Sequence, residues 1–425
     1  MSLLVVMGSG ETAPTMVKIH REVLARSFAS SGAGPAVMLD TPFGFQMNAD
    51  DLVERTQQYF ADSVGTPVEV IRWRRADAPA SEHEKSLALL AQAAWAFAGP
   101  GSPTYALRQW QGTPIPDALL DVAHRGGTLV FGSAAACTLG VQAIPVYEIY
   151  KVGEEPRWEP GLDLLGRLTG IEAVVIPHYD NAEGGQHDTR FCYLGEQRLV
   201  QLEAELPTSV GVLGVDEHTA LVIDLTARTA EVRGNGTVTL RYRDRSQVLT
   251  SGTQLTLDEL AAGVHGAGRP TAPVTPAQAT APAATDAAEP GAPAAPQTLA
   301  QETAAARDRF DAALADRDVD AAVDAILGLE AAIVAWSADT LQSDESDRAR
   351  RVLRSLVVRL GALAHDGARD PREVLGPLVE ILLELRARAR AGKDFATSDL
   401  LRDRLSAVQV EVRDTPDGAV WSLVG

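Results

Sequence analysis

The chain has 425 residues, 45 % of them apolar, and a formal net charge of −19. That is enough apolar material for two domains with separate cores, and the acidic balance argues against a general nucleic-acid or membrane-surface binder. Two cysteines, Cys137 and Cys192, stand far apart without metal-type spacing, which argues against a disulfide framework and fits a reducing cytoplasm. The opening MSLLVVMGSGE is too short and too poor in basic residues for a signal peptide. No run approaches the roughly 20 apolar residues of a membrane span. The expectation is a cytoplasmic protein with no metal and no cofactor.

Taken in chain order, residues 1–263 alternate short apolar strands with amphipathic helices. The strands are LLVVM, AVMLD ending at Asp40, VEVIRW ending at Trp73, AWAFAG, TLVFG, EAVVIP, SVGVLG and TALVID; helices are predicted in MVKIHREVLARSF and ADDLVERTQQYFADSV. This alternation predicts an α/β domain on a largely parallel, doubly wound sheet. Asn235-Gly236 between two alternating runs predicts a β-hairpin. Residues 264–297, rich in Pro, Ala and Thr, predict a linker, because such a segment buries too little surface to offset its ordering entropy. Residues 298–425 read as a mostly α-helical domain. Phe310, Leu314, Val323, Ile326, Leu327 and Ile333 recur at helical spacing, and Gly392 marks the end of a third long helix. VQVEVRDTPDGAVWSL switches to period two, a closing hairpin with Pro416, Asp417 and Gly418 in its turn.

Three loops that follow strands carry the residue types of acyl transfer: GSGETAP, GPGSP over 99–103, and the turn at Ser133 in LVFGSAAAC. In an open parallel sheet, loops at the carboxyl ends of strands converge on one crevice. A serine between a strand and a helix can act as nucleophile, with nearby N–H groups to stabilise an oxyanion. It needs a base, and the base needs an orienting acid. EAVVIP delivers His178, and SVGVLG delivers Asp216 and Glu217. His187 reads as a loop residue, and Cys137, a helical turn beyond the elbow, reads as structural.

With those motifs in place, the N-terminal domain resembles the dipeptidase E and cyanophycinase serine peptidase family, which has the class I glutamine amidotransferase-like fold. The family pattern is a glycine loop after strand one, a glycine-rich loop after strand four, G-x-S-A-G-A, a histidine followed by an aromatic, and I-D-E-x-T-A. This chain offers GSGE, FAGPGS, FGSAAA, PHY and VDEHTA. The resemblance spans residues 1–245. It implies Ser133 as nucleophile, His178 as base and Glu217 as acid, with Asp216 the fallback. It also implies an oxyanion hole from Ala134 N–H and a glycine loop, either Gly99 to Gly101 or the one at Gly10. Family substrates are aspartyl dipeptides or the aspartate–arginine polymer cyanophycin. Phe131 and Ala135 replace both elbow glycines, and the segment after His178 is unlike either named enzyme.

Arg386, Arg388, Arg390, Lys393, Arg402 and Arg404 make a local basic patch. KDFATSDLLRDRLSAVQVEVRDTPDGAVW is similar to the C-terminal module of cysteinyl-tRNA synthetase, matching it at Lys393, Asp394, Asp399, Arg402, Asp403, Leu405, Asp414, Pro416, Gly418 and Trp421. The resemblance covers nearly all of 305–423. It implies a tRNA-facing surface with Arg386, Arg390, Lys393, Arg402 and Trp421 on it, and weak tRNA binding. The synthetase's H-x-G-H, K-M-S-K-S and zinc ligand set do not occur in this sequence, so no aminoacylation is expected. Three readings follow: a serine hydrolase of small peptides or amides with a synthetase-derived accessory domain, a catalytically degenerate ligand-binding domain, and a tRNA-linked factor.

Overall fold

The computed structural model describes residues 2–31, 34–183, 187–266, 298–337, 345–367, 371–416 and 418–423. The predicted linker therefore lies outside the described residues from position 267 onward, as does Asp417 of the closing turn. Contacts divide the chain into two units, Met1–Ala306 with Leu327–Arg350, and Arg307–Ile326 with Arg351–Gly425.

The first unit opens with β1 (Leu3–Met7), α1 (Val17–Ser31), β2 (Ala36–Leu39), α2 (Ala49–Gln58), β3 (Glu69–Ile71), α3 (Ala80–Leu90) and β4 (Trp95–Ala98). It continues through α4 (Pro103–Trp110), α5 (Ile115–His124), β5 (Thr128–Gly132), α6 (Ser133–Cys137), a short strand pair β6 (Gln142–Ala143) and β7 (Glu159–Pro160), then α7 (Leu164–Thr169) and β8 (Ala173–Ile176). After α8 (Gly195–Glu205) come β9 (Gly211–Val215), β10 (Thr219–Asp224), β11 (Thr229–Gly234), β12 (Thr237–Tyr242), β13 (Arg245–Thr250), β14 (Gln254–Thr256) and α9 (Leu257–Val264).

One sheet runs β14-β11-β10-β1-β5-β4-β2-β3, and a smaller one runs β13-β12-β9-β8. In β1, Leu4 and Val6 face a core shared with Trp110 and Leu119, whereas Leu3, Val5 and Met7 face one shared with Val23, Leu24 and Val53. Burial on both faces is why this strand reads as an unbroken apolar run. β1 is parallel to β5 but antiparallel to β10. The start of β10 therefore lies beside the end of β1, and the residues just before Thr219 reach the same rim as the parallel strand ends.

The hairpin predicted at Asn235-Gly236 does not form. β11 pairs with β10 and β14, and β12 pairs with β9 and β13, in different sheets. Long-range partners decide this junction. Asn235 N–H donates to the His218 carbonyl at 3.0 Å, Gly236 N–H to Thr219 Oγ1 at 2.8 Å, and Thr237 N–H to Asp216 Oδ2 at 2.8 Å. Those bonds carry the chain from one sheet to the other.

The helices of the remainder are α10 (Leu299–Ala315), α11 (Val319–Ala335), α12 (Glu345–Gly367), α13 (Pro371–Ala391) and α14 (Phe395–Ala407), followed by the hairpin β15 (Val410–Thr415) and β16 (Gly418–Leu423). In the second unit, Val379 and Leu383 of α13 pack with Leu405 and Val410, and Trp421 covers them. Asp394 Oδ1 accepts from Thr397 N–H at 3.1 Å and caps α14, satisfying an amide the helix leaves open. Among the described residues no helix is long and apolar enough to cross a membrane.

Candidate functional site

β5 ends at Gly132 and α6 begins at Ser133, whose φ of +48° lies in the left-handed region. That conformation costs an L-residue about 1–2 kcal/mol, and it turns Oγ out of the strand line. The Ala135 N–H donates to the Gly99 carbonyl at 3.2 Å, tying the start of α6 to the loop after β4. Phe131 is fully buried, its ring edge-on to Trp110 with centroids 6.4 Å apart. The side chain that replaces an elbow glycine thus fills the helix layer and leaves the serine clear.

His178 follows β8, also at positive φ (+47°). Its N–H donates to the Gly8 carbonyl at 3.2 Å, and its own carbonyl accepts from Asn181 N–H at 3.2 Å and Cys192 N–H at 3.1 Å. Held in this way, Nε2 lies 2.8 Å from Ser133 Oγ and Nδ1 lies 2.8 Å from Glu217 Oε1. In the neutral imidazole, with the proton on Nδ1 donated to the carboxylate, Nε2 accepts from the serine hydroxyl; in the imidazolium both ring nitrogens donate. Burial alone would pull the His178 titration down, but the hydrogen bond to Glu217 and the surrounding acidic groups outweigh it and leave it at about 9. Burial likewise favours the neutral form of Glu217, and the bonds from His178 and Asn181 reverse this, so its carboxyl titrates below the ordinary value. Asp216 is turned elsewhere, accepting from Thr237 N–H and Oγ1 at 2.8 and 2.7 Å.

A cavity of about 200 Å³ opens on Ser133, with Ala134, Gly101, Tyr193, Arg55 and Lys151 among its lining. Ala134 is the second residue of α6, where the helix itself supplies no acceptor for the amide. Gly101 has φ +142°, and a Cβ there would stand 2.0 Å from the Pro42 carbonyl oxygen. Gly10 and Gly99 pack against neighbours of the site: a Cβ would fall 2.2 Å from His218 Nδ1 at the former and 2.7 Å from the Phe97 ring at the latter. The loop after His178 folds back through Phe191, Cys192 and Tyr193, three successive residues at positive φ. It sets the Tyr193 ring 6.3 Å from the imidazole. The neighbouring Tyr179 ring lies across Gly214 of β9, where a Cβ would stand 2.4 Å away. His187 is exposed on this loop. Among the described residues no cluster of His, Cys, Asp or Glu is placed to hold a metal ion.

In the helical unit, Arg386 is buried at 4 % exposure and grips Asp414 with two bonds of 2.7 and 3.0 Å. Arg390 binds the same carboxylate. This pair of guanidinium groups holds Asp414 well below the usual carboxylate range. Arg402 is exposed and faces Asp399 and Asp403 at 3.8 and 3.5 Å. Lys393 is exposed at φ +60°, and Trp421 Nε1 donates to Glu380 Oε1 at 3.1 Å. The structure thus brings Arg386 and Arg390 together on one acid and leaves Lys393 and Arg402 at the surface.

Segments of the chain are similar to cysteine–tRNA ligases. The enzyme of Chlorobium luteolum is 53 % identical over 58 residues, 14 % of this chain and 12 % of that one. Those of Bacteroides fragilis and Paenarthrobacter aurescens are 38 % identical over 87 and 117 residues, covering 20 % and 26 % of this chain. The chain spans only 12 %, 18 % and 24 % of the length of these three relatives. No family model matches. Among solved structures, a peptidase from an acI-B1 Actinobacterium aligns with 60 % of this chain and 97 % of its own, at 21 % identity and TM-score 0.48. A putative peptidase E protein from Listeria monocytogenes EGD-e aligns with 56 % and 100 %, at 14 % identity and TM-score 0.38.

Sequence reasoning passed over Asn181, whose Nδ2 donates to Glu217 Oε1 at 3.2 Å, and the wall residues Arg55, Lys151 and Tyr193. A polar run directly after the histidine, YDN, was the available signal for Asn181. It also gave no hint that the folded chain brings Cys137 and Cys192 into one buried cluster. Both thiols are free and buried.

Proposed function

We propose that the α/β unit is a serine hydrolase of small peptides or amides, with Ser133 as nucleophile, His178 as general base and Glu217 as its orienting acid. The observation that carries this reading is the unbroken hydrogen-bond line from Oγ through the imidazole to the carboxylate, 2.8 Å at each step, ending in a cavity. Nε2 takes the hydroxyl proton as Oγ attacks the acyl carbon, then gives it to the leaving amine; Glu217 stabilises the imidazolium between those events. Ala134 N–H and the loop at Gly101 are the donors proposed for the oxyanion. Arg55 and Lys151 in the cavity wall favour a substrate carrying a carboxylate, by simple charge attraction in a partly enclosed site.

The helical region is proposed as a synthetase-derived accessory domain without aminoacylation, joined to the hydrolase by the linker over 264–297. The segment similarity to ligases that act on tRNA supports weak tRNA binding as a second reading. The commitment of Arg386 and Arg390 to Asp414 reduces the charge available for it.

The test is labelling with a fluorophosphonate followed by peptide mass spectrometry. The adduct is expected on the peptide containing Ser133 and is lost in Ser133→Ala and His178→Ala. An unlabelled native protein that cleaves no acidic dipeptide would leave a ligand-binding domain as the better account.

A further inference from the structure

We propose that Asn181 is a positioning residue of this site: its side-chain amide holds the Glu217 carboxylate in the orientation that presents Oε1 to His178. The inference rests on the Ser133–His178–Glu217 reading. Asn181 is 1 % exposed, deep beneath an otherwise polar loop. Its Nδ2 donates to the same oxygen, Oε1, that receives the His178 Nδ1–H, at 3.2 and 2.8 Å respectively. Its Oδ1 accepts from Glu183 N–H at 3.3 Å. That second bond decides which end of the amide faces the carboxylate, because a flipped amide would set oxygen against oxygen and leave the Glu183 N–H facing a donor. The backbone ties the same residue to the base: Asn181 N–H donates to the His178 carbonyl, and its own carbonyl accepts from Thr189 Oγ1 at 3.4 Å. From the other side, Asp180 Oδ1 accepts the Glu217 N–H at 2.8 Å. One buried residue therefore fixes the backbone of the base and the side chain of the acid.

A neutral donor suits this task. It steadies a carboxylate without supplying the positive charge that would compete with the imidazolium. The other charged or titratable groups near Glu217 are Asp180, Asp216, His218, Glu183, Cys192 and Tyr193, and those near His178 are Glu11, Glu183, Cys192, Tyr193 and His218. None of these side chains is itself altered when only position 181 is changed; Asn181→Asp keeps an acceptor for the Glu183 N–H, and Asn181→Ala removes it.

The experiment uses the full chain with ¹⁵N-labelled histidine, comparing native protein with Asn181→Asp and Asn181→Ala. Each is followed by imidazole NMR titration and by fluorophosphonate labelling rate against pH. Asn181→Asp, nearly isosteric, places a second acid beside Glu217 and is expected to raise the His178 titration by about one unit, carrying the acid limb of labelling with it. Asn181→Ala leaves the charge alone and is expected to slow labelling about tenfold at every pH, without moving the limb. The charge of Asn181→Asp acts on the imidazole through space whatever the native amide does, so the decision rests on Asn181→Ala, in which a residue that merely braced the loop would leave the His178 Nδ1–H resonance and the labelling rate near native. The proposal is overturned if Asn181→Ala labels within twofold of native protein or leaves the His178 Nδ1–H resonance unchanged. Should native protein fail to label while the His178 Nδ1–H resonance is lost or shifted in Asn181→Ala, the hydrolase reading fails and the positioning of Glu217 by Asn181 stands. If Asn181→Ala does not fold, Asn181→Leu, which fills the volume without the donor or a new charge, carries the decision by the same two readouts.

Discussion

Replacing Glu217 by Gln should remove stability in a pH-dependent manner, with a size that follows from the site. In the native fold His178 titrates at about 9, against 6.5 for an unperturbed histidine. The two side chains are 11 % and 21 % exposed, so solvent screens the pair only weakly. A displacement of roughly 2.5 units at about 1.4 kcal/mol each gives a contribution on the order of 3 kcal/mol. Because the folded titration lies above the unfolded one, the contribution is complete below 6.5, about half gone midway, and lost as pH rises through 9. In Glu217→Gln the imidazole keeps its burial and loses the carboxylate that sustained its charge. The assay is urea unfolding of both proteins at about pH 6, 7.5 and 9.5, read by fluorescence of the buried Trp73, Trp95 and Trp110. The stability gap should be widest at the acid end and close towards the alkaline end. A gap constant across that range would refute the assignment of this ion pair as the source.

At Ser133 the usual order of helix formers should invert: Ser133→Gly should be more stable than Ser133→Ala by about 1 kcal/mol in thermal melts, because only glycine takes φ +48° without strain. Equal stabilities would mean that the turn relaxes. Gly101→Ala should lower both the melting midpoint and the labelling rate, the latter by tenfold or more, since its Cβ would meet the Pro42 carbonyl oxygen at 2.0 Å; native-like labelling would count against a role for this loop. Asp414→Asn should destabilise the helical unit by leaving the buried Arg386 without its partner. Since Asp414 titrates below its ordinary value, that stabilisation is present above the ordinary carboxylate range and lost as pH falls through the depressed titration. Melts of variant and native protein should therefore converge in strong acid, and parallel curves would exclude the pair.

The buried strands were legible because burial on both faces writes itself as continuous apolar runs such as LLVVM and AVVI. Ser133, His178 and Glu217 were legible as candidates for a related reason: each sits where a strand stops, and strand ends can be read locally. What local pattern could not supply was the identity of partners. Asn235-Gly236 has the chemistry of a tight hairpin, yet Asp216 and Thr219 draw the chain into the other sheet. Arg386 carries the charge of a solvated helix face, and only the return of the hairpin brings Asp414 over it. The choice between Asp216 and Glu217 was likewise undecidable from adjacency, and the competing Thr237 hydroxyl lies in a strand that the sequence does not place beside either.

The contact between Tyr179 and Gly214 constrains how this site can change over generations. The aromatic next to His178 lies over a strand position with no room for even a methyl group. Any larger residue at 214 would push the ring, and with it the peptide that carries the imidazole. A smaller residue at 179 would open a void over β9 before anything at 214 had grown to fill it. Each single step is therefore penalised, and the two positions can exchange volume only together. Lineages that alter the loop after His178 should still inherit an aromatic at 179 and glycine at 214 as a unit.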